Sequence, residues 1–584
     1  MPFMVTTPIE SFWDRSKPIL FAGEWCKLFA RKAQWTTLDH SDVPHLWDDP
    51  QKKVDAIEYS EQVRQTALAG LTDFLNRHHG LNETTRFYHI VLGNWLDHYV
   101  QVMYDRFLTL EKAFELHADL ETWVLDPKQH YIPTDTMDWV SLISLGDRYN
   151  LQVFSRMLHG MGYAFPTREL EDPLPQKARF STPNWRPGER VAYGVTQWLS
   201  KLFRRRRITV VNPYFKYGVW RRMVQLMLMS RLQITFNTFL YPVSVELPID
   251  RALRAQSLDL GRSRFEKALG KIIIGDMPAL FLEGFASFRE QVLALRFPKS
   301  DAYFTANAMH FNPVFKLFAA MQQGRSKFLL MQHGSGEGFD YHNQIEFYER
   351  SVADRFYTYG WRDGDHTEPL SFAHPGEHRP GGPDGLMIFT ISEYFRYVYR
   401  LHFHPTAGEY LTLCMQEIDD FMAQFKQDRT LMVRCWQPVD MKWDTVGRLR
   451  ETHGDGFQVD DQSKNLIERL SNCRIHVSHH IGTAFIEALA MNVPTVAFIN
   501  PRIYHFREPA IPIMQALAAC GLLHYSVVGA IAHLKAVHQD PQVWWSGEDV
   551  QAARRQFLHH YGRTSKNWLK EWQLAFQRAI DEPS

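Results

Sequence analysis

Short apolar runs, each stopped by a polar or glycine-containing turn, constrain the fold of this chain more than any other feature. They cover residues 18–26, 208–215, 301–309, 327–338, 355–361, 386–392, 430–437, 474–480 and 495–501. The stretches between them carry apolar residues at helical spacing, most clearly in residues 88–116. Continuous apolar strands that alternate with helices are typical of parallel sheets covered on both faces. The pattern therefore predicts an α/β fold with extra helices in the N-terminal part.

A segment rich in proline and glycine divides the chain. Residues 374–385 hold three prolines and four glycines, which neither a helix nor a central strand accommodates. Apolar runs of the same kind lie on both sides of this segment. We therefore predict two Rossmann-like domains that face each other across a cleft. One covers residues 1–380 and the other residues 385–584, with helices at 550–580 closing the chain.

Composition excludes several classes of protein. Lysine plus arginine and aspartate plus glutamate both number 65, and this balance argues against a nucleic-acid-binding protein. The 5 cysteines form no CxxC pair, which favours a reducing, cytoplasmic setting without a disulfide framework. No apolar stretch is long enough for a membrane span, and residues 1–18 lack the apolar core of a signal peptide. The arginines at 204–207 leave open a peripheral contact with the inner membrane.

The motif His-His-Ile-Gly-Thr follows the predicted strand at 474–478 and is the first candidate for a ligand site. Ligands of open α/β sheets bind beyond the carboxyl ends of the strands. We predict that Thr483 is the N-cap of a helix over 484–490. The free backbone N–H groups at such a helix start suit a phosphate or a carboxylate. His480 and Gly482 are therefore expected to line an anion site.

Three further residues extend this predicted site. Glu487 lies one turn into the helix, where it can accept hydrogen bonds from sugar hydroxyls, and His479 precedes the turn. Arg434 lies at the end of the run at 430–437, and its guanidinium can hold a phosphate or carboxylate with two hydrogen bonds. If the two strand ends meet, Arg434 and the turn form one anion pocket. A generic strand–turn–helix with solvated side chains is the alternative that the sequence leaves open.

Two sets of motifs carry a resemblance to known families. "GTAFIEALAMNVPTVAF" resembles the donor-nucleotide segment of GT-B glycosyltransferases. Many GT-B enzymes have a glutamate eight positions before the ribose-binding one, whereas this chain has His479 there. Five other motifs resemble a large family of bacterial surface-carbohydrate transferases, similar in fold to Kdo and nonulosonate (sialic-acid-like) transferases. They are "TTPIESFWDRSKPILFAGEWCKLF", "GNWLDHYVQVMYDRF", "LMQHGSGEG", "VRCWQPVDMKWD" and "ARRQFLHHYGRTSKNWLKEW".

The resemblance implies a GT-B-like glycosyltransferase of bacterial surface-polysaccharide or glycoconjugate synthesis. Its donor would be a nucleotide sugar, and a CMP-linked Kdo or nonulosonic acid fits Arg434 and the anion turn because such a donor brings a phosphate and a carboxylate. Its acceptor would be a glycan or glycolipid. Two alternatives stay open: transfer of a polyol phosphate from a CDP-linked donor, and a non-catalytic glycan-binding or assembly protein.

The catalytic group is expected in the N-terminal domain, where "MQHGSGEGFDYHNQ" follows the strand at 327–331. Its glycines leave backbone exposed for close approach of a ligand. His333 can act as a general base on an acceptor hydroxyl or neutralise the leaving phosphate. The resemblance also implies a carboxylate base, for which Glu24, Glu337 and Asp340 compete.

We predict no cofactor and no obligatory metal. The triplet at 363–365 has the Asp-x-Asp pattern of metal-binding GT-A enzymes, but such triplets are common by chance. His402 and His404 would share a face of an extended segment, yet no third ligand follows nearby.

Overall fold

The computed structural model describes residues 1–182, 206–213, 219–230, 232–236, 241–373, 375–379, 381–382, 384–436 and 443–582, with positions 188, 191, 194, 195, 198, 199 and 202. Within these ranges the architecture consists of two large parallel sheets, one three-stranded parallel sheet, three two-stranded sheets and many helices. The two-stranded sheets pair Val124–Leu125 with Thr167–Arg168, Arg179–Ser181 with Ser244–Glu246, and Phe372–Ala373 with Thr564–Ser565. The three-stranded sheet contains, in the order β1-β2-β3, the strands β1 Phe3–Val5, β2 Ile19–Phe21 and β3 His40–Asp42. Much of the run of four arginines at 204–207 lies outside the described residues.

The first large sheet has six parallel strands in the order β9-β8-β7-β6-β4-β5. They are β4 Arg207–Val211, β5 Gln233–Phe236, β6 Ala302–Thr305, β7 Lys327–Met331, β8 Arg355–Thr358 and β9 Thr367–Pro369. β5 pairs with one edge of β4. The next strand, β6, pairs with the other edge of β4, and β7, β8 and β9 follow outward from it.

The second large sheet also has six parallel strands, in the order β12-β11-β10-β13-β14-β15. They are β10 Met387–Ser392, β11 Leu431–Trp436, β12 Gln458–Val459, β13 Ile475–Ser478, β14 Thr495–Phe498 and β15 Leu523–His524. This strand order is that of dinucleotide-binding Rossmann folds, with the direction of growth reversing between β10 and β13. The predicted α/β class, with two Rossmann-like parallel sheets, is confirmed.

Helices surround the two large sheets and the three-stranded sheet. The α-helices before residue 374 are Pro50–His79, Thr85–Leu116, Thr136–Leu145, Asp147–Met161, Val219–Ser230, Arg251–Arg254, Arg264–Asp276, Phe285–Ala294, Ala308–Phe311, Pro313–Met321 and Gln344–Val352. Those after it are Ala407–Glu409, Met415–Phe425, Thr445–His453, Leu466–Leu470, Thr483–Ala490, Ile511–Ala519, Val527–Val537, Pro541–Trp545, Glu548–Tyr561 and Trp568–Asp581, and a π-helix covers Tyr410–Cys414. No helix in the described part of the chain is both apolar enough and long enough to cross a bilayer.

The longest helices lie in the N-terminal part, as predicted. Helices Pro50–His79 and Thr85–Leu116 begin at side-chain caps, because Asp49 and Thr84 accept hydrogen bonds from backbone N–H groups of the first turn. Most of the Thr85–Leu116 helix is buried, with Trp95 fully enclosed, so it lies inside the N-terminal part and not on its surface.

The last helix departs from the predicted division of the chain. Trp568–Asp581 packs against the first large sheet, although the sequence places it with the second. The rings of Trp572 and Phe576 lie 4.9 Å and 5.2 Å from the ring of Phe304 in β6. The C-terminal helix therefore belongs to the core of the first large sheet, which its aromatic face completes.

Candidate nucleotide-sugar site between the two sheets

A cavity of about 420 Å³ lies between the carboxyl ends of the two large sheets. The second sheet contributes the ends of β10, β11 and β13, and the loop after β7 contributes Gly334 and Ser335. Ligands of doubly wound sheets bind where the strand order reverses, and β10 and β13 flank that reversal here. The volume is within the roughly 300–1,000 Å³ typical of small-molecule sites. This cavity is therefore the candidate functional site.

The turn after β13 forms one wall of the cavity. Ser478 shapes the turn by donating its hydroxyl to the carbonyl of His480 at 2.7 Å. Gly482, and not Thr483 as predicted, is the N-cap of helix Thr483–Ala490, and its side-chain-free position leaves the first backbone N–H groups uncapped. Gly482, Thr483 and Ala484 all line the cavity, so the helix start faces it.

The two adjacent histidines of this turn point to different places. His480 lines the cavity, and its Nδ1 and Nε2 contact the hydroxyls of Tyr504 at 2.6 Å and Tyr394 at 3.2 Å. His479 does not line it, because Nε2 lies 3.2 Å from Glu417 Oε2 outside the cavity. The prediction that His479 contacts the donor is corrected, since successive residues at a strand end face opposite sides of the sheet.

Glu487 also lies outside the cavity lining. Its side chain is buried in helix Thr483–Ala490, more than one turn from Gly482. The expected contact between Glu487 and sugar hydroxyls is therefore absent from the described lining.

Arg434 reaches the cavity with its charge already paired. It lies at the end of β11 and lines the cavity. Its guanidinium forms an ion pair with Asp460, which also accepts a hydrogen bond from Arg469 at 2.8 Å. Asp460 thus compensates part of the positive charge that the sequence assigned to the anion pocket.

Arg400 is a cavity residue that the sequence analysis missed. It lines the cavity, and its Nε is buried without a hydrogen-bond partner among the described residues. Its guanidinium lies 5.1 Å from the ring of Tyr399 and forms no ion pair with a described carboxylate. A search of the loop after β10, beyond the residues directly at the strand end, would have found it. Arg400 is thus the cavity's available cation.

Buried carboxylates support the glycine-rich loop after β7. Glu337 Oε1 accepts hydrogen bonds from the backbone N–H groups of Gly334 at 2.8 Å and His333 at 3.3 Å. Glu346 accepts one from Gly338 at 2.9 Å. Gly338 has a φ of 87°, a left-handed conformation that favours glycine. The loop is thus held from beneath, and Glu337 itself is absent from the cavity lining.

His333 is charged at neutral pH because of its carboxylate neighbours. Its Nδ1 lies 3.4 Å from Glu349 Oε2. Burial opposes its charge, but the carboxylates of Glu349 and Glu337 outweigh burial and raise the pKa of His333 to about 9. Burial raises the pKa of Glu337 to about 8, and His333 opposes this shift. His333 neighbours Gly334 but does not itself line the cavity.

Asp340 does not line the cavity, but it contacts His404, which does. Asp340 is buried, and its Oδ2 lies 2.8 Å from His404 Nε2. Burial raises the pKa of Asp340 well above its usual range, while Arg507 and Arg400 oppose the rise. Burial, together with the positive charges of Arg400 and Lys53, lowers the pKa of His404 to about 3. His404 lines the cavity, and the sequence considered it only as a metal ligand.

Contacts between the two halves of the chain fix the loop after β7. Arg507, which follows the second sheet's β14, donates two hydrogen bonds to Glu346 at 2.8 Å and 2.9 Å. The backbone N–H of Arg507 donates to Phe339 and that of Tyr341 to His505, both at 2.9 Å. These bonds hold the glycine-rich loop against the second half of the chain.

Glu24 lies at a different site. It begins a short 3₁₀-helix beside β2, and its Oε1 accepts an ion-paired hydrogen bond from Lys27 Nζ at 3.0 Å. It lines a separate pocket of about 230 Å³ that includes Asp42 and His45. The prediction that Glu24 competes as the catalytic base is therefore corrected.

Among the described residues, one group has the composition and spacing to hold a metal ion. Ligand atoms of Cys414, Glu417 and His479 lie within 4.8 Å of one another. Glu417 already accepts a hydrogen bond from Asn500 at 3.1 Å. The group lies outside the cavity lining, so it supplies no ligand there.

A larger groove, of about 730 Å³, lies elsewhere on the second half of the chain. It is lined by the C-terminal end of helix Thr483–Ala490 and by Arg554, Arg555 and Arg563. The C-terminal end of that helix presents carbonyl groups, so the helix dipole opposes anion binding there. The groove contains no residue of the predicted site.

Two solved structures are remotely similar to this chain. MurG of Acinetobacter baumannii is 11% identical, with a TM-score of 0.33, and the match covers 64% of this chain and 99% of MurG. MnaA of S. aureus with UDP is 10% identical, with a TM-score of 0.36, and the match covers 65% of this chain and 99% of MnaA. Likenesses this remote carry no argument about activity. No curated protein matches the chain significantly.

The family of the chain is shown by its sequence. The model of the family described as "LIC12162 family transferase" matches residues 2–576, nearly the whole chain. Transfer chemistry agrees with a cavity at the strand-order reversal of a Rossmann-like sheet. The chain belongs to the LIC12162 family of transferases.

Proposed function

We propose that this chain is a glycosyltransferase of bacterial surface-polysaccharide or glycoconjugate synthesis. It transfers Kdo or a nonulosonic acid from a CMP-linked donor to a glycan or glycolipid acceptor, in the cytoplasm and in peripheral contact with the inner membrane. Membership of a transferase family supports the reaction class. The observation that carries the proposal is the single cavity into which Arg434, Thr483 and the glycine-rich loop all open.

The cavity suits a donor with two anionic groups. A CMP-linked ulosonic acid carries a phosphate and a sugar carboxylate. The start of helix Thr483–Ala490 offers uncapped backbone N–H groups to one of them. Arg400 offers an unpaired guanidinium to the other, and Arg434 adds a guanidinium that it shares with Asp460. We assign the phosphate to the helix start and the carboxylate to Arg400.

The reaction would proceed by positioning and electrostatic stabilisation. An acceptor hydroxyl oxygen attacks the anomeric carbon, and the bond from that carbon to the phosphate oxygen breaks. The leaving CMP carries the extra negative charge, which the helix start stabilises. His333 is cationic at neutral pH and lies next to Gly334, so it adds a positive charge near the departing phosphate.

A thermal-shift panel of CMP, CDP, UDP and GDP against the purified chain tests the donor class. A nucleotide that binds the folded chain stabilises it by about 2.7 kcal/mol at a hundredfold excess over its Kd. We expect CMP to raise the unfolding temperature most. Stabilisation by UDP or GDP alone would contradict the CMP assignment.

Two arginine variants make the panel specific to the cavity. Arg400→Met is expected to weaken binding of the CMP-linked donor about tenfold or more, because a charge-assisted hydrogen bond contributes about 1.5–3 kcal/mol. Arg555→Met removes a cation from the 730 Å³ groove and serves as the control, with unchanged binding. Equal effects of the two variants would place the donor outside the cavity.

Product analysis separates the remaining alternatives. A glycoside product supports the proposed transfer. A phosphodiester product identifies a CDP-polyol phosphotransferase, and nucleotide binding without any product identifies a glycan-assembly protein.

A further inference from the structure

His404 combines three properties of a general base. It lines the cavity, its Nε2 lies 2.8 Å from Asp340 Oδ2, and its Nδ1 is buried without a hydrogen-bond partner among the described residues. Asp340 is buried beside the ring, at ion-pair distance from Nε2 and without a hydrogen bond to it among the described residues. A Cβ on residue 336 would overlap Asp340 Oδ2, so Gly336, with a φ of 88°, leaves the space in which the pair meets.

The other histidines near the cavity are less suited to accept a proton. Both ring nitrogens of His480 contact tyrosine hydroxyls, which occupies its only acceptor. His333 lies outside the cavity lining. Of the carboxylates predicted as bases, Glu337 lies outside the lining and holds the loop after β7, and Glu24 lines a different pocket.

We propose that His404 is the general base that activates the acceptor hydroxyl, and that Asp340 is its positioning residue. The inference rests on the proposed glycosyl transfer and names the group that performs its proton step. The sequence did not predict that Asp340 and His404 form a pair, because they lie in different halves of the chain.

The step balances within the cavity. The hydroxyl oxygen of the acceptor forms a bond to the anomeric carbon while its proton passes to His404 Nδ1. The electron pair of the anomeric C–O bond leaves with the phosphate oxygen of CMP. Beside an imidazolium Asp340 favours its ionised form, and its Oδ2, 2.8 Å from Nε2, then stabilises that cation.

In the free chain the charges around the pair keep the His404 ring neutral, and the neutral form is the one that can accept a proton. His404 is neutral before the donor binds, since burial and the neighbouring cation Arg400 lower its pKa to about 3. The donor brings negative charge to Arg400, which removes part of the repulsion and raises the pKa of His404 toward the range where a general base works best. Donor binding and base activation are thus coupled through Arg400.

The test separates binding from turnover in three variants. We measure CMP affinity by calorimetry, and the acceptor-dependent release of CMP from CMP-Kdo and CMP-sialic acid as kcat and KM. His404→Gln is expected to bind CMP as the wild type does while kcat falls about 10²–10⁴-fold with little change in KM. Asp340→Asn is expected to lower kcat about tenfold or more, also at unchanged CMP affinity. His402→Gln, a buried neighbour whose ring lies 5.3 Å from that of His404, is the matched control with near wild-type kcat.

Each outcome decides between the two levels of the proposal. Wild-type kcat in His404→Gln, with CMP still bound, overturns the base assignment and leaves the glycosyltransferase standing. Absence of CMP binding and turnover in the wild type overturns the proposed function itself. A loss of kcat in His402→Gln as large as in His404→Gln would show a general disturbance of this loop and would also overturn the assignment. Circular dichroism of each variant confirms that the comparison is made on folded chains.

Discussion

On the N-terminal side of the cleft His333 lies among carboxylates, whereas on the C-terminal side His404 lies beside Arg400. Both rings are largely buried, and burial disfavours the imidazolium in both places. The carboxylates of Glu349 and Glu337 overcome burial at His333, while the guanidinium of Arg400 adds to it at His404. The charges of the neighbours, and not the degree of burial, decide which histidine is charged.

This difference divides the chemistry between the two sides. A histidine that is charged at neutral pH can stabilise negative charge on a leaving group but cannot accept a proton. A neutral histidine can accept one. Pairs of titratable groups whose surroundings push their pKa values apart are the pattern by which acid and base roles are assigned. In the proposed reaction His333 acts as a cation, His404 acts as the base, and Arg400 links His404 to the donor.

The largest expected effect is a loss of stability when the buried carboxylate of Glu346, on the N-terminal side of the cleft, is removed. Glu346 is fully buried and accepts hydrogen bonds from Arg507, Arg350 at 3.0 Å and the backbone of Gly338. Glu346→Gln leaves the largely buried guanidinium of Arg507 without its carboxylate partner, whereas Arg350 keeps Asp363, and loss of one partner of a buried pair costs about 3–5 kcal/mol. We expect the free energy of unfolding, measured in urea, to fall by that amount.

A surface ion pair provides the control for this variant. Arg179 and Glu246 form an ion pair in which both side chains are more than half exposed, at 60% and 63%. Glu246→Gln is therefore expected to change the free energy of unfolding by less than about 1 kcal/mol. If Glu346→Gln changed the free energy of unfolding as little as this control, the pair of Glu346 and Arg507 would not hold the two halves of the chain together.

A smaller effect is expected in the pH dependence of stability, which should differ between His333 and His404. The pKa of His333 is raised in the folded chain from 6.5 to about 9, so its contribution to stability is full below pH 6.5 and is lost as the pH rises through 9. The pKa of His404 is lowered from 6.5 to about 3, so the folded chain loses stability as the pH falls from 6.5 toward 3. The two sides should therefore respond to opposite changes of pH.

Urea unfolding across the pH range measures this difference. Relative to the wild type, His333→Gln should flatten the alkaline fall in stability and His404→Gln the acidic fall. Each titrating group changes the slope by up to about 1.4 kcal/mol per pH unit. The charge states assigned to the two histidines would be wrong if His333→Gln changed the fall in stability at low pH, or if His404→Gln changed the fall at high pH.

The central strands of the fold could be predicted from the sequence, whereas the edge strands could not. Every apolar run in the sequence contains a strand, because a parallel strand buried on both faces has no polar alternation. The strands that were missed in the two large sheets are β5, β9, β12 and β15, which are the four edges. Edge strands are short and carry polar residues or proline, as in Thr367–Pro369, so their sequences resemble loops.

The site could be predicted in part. Arg434, His480, Gly482 and Thr483, which line the cavity, were predicted because they lie in or directly after the last residues of predicted strands. Asp340 and His404 meet only through folding, since the loop after β7 and the loop after β10 come from different sheets. The pairing of Arg434 with Asp460 was equally invisible, because no local spacing links the two residues.

A crystal structure with bound CMP is the most direct test of whether the donor binds in the cavity between the two sheets. We predict CMP in the 420 Å³ cavity, with its phosphate at the backbone of Thr483 and with Arg400 and the ring of His404 facing the space for the sugar. CMP found in the 730 Å³ groove beside Arg554 and Arg555 would contradict the account, as would an empty cavity at a CMP concentration that stabilises the chain.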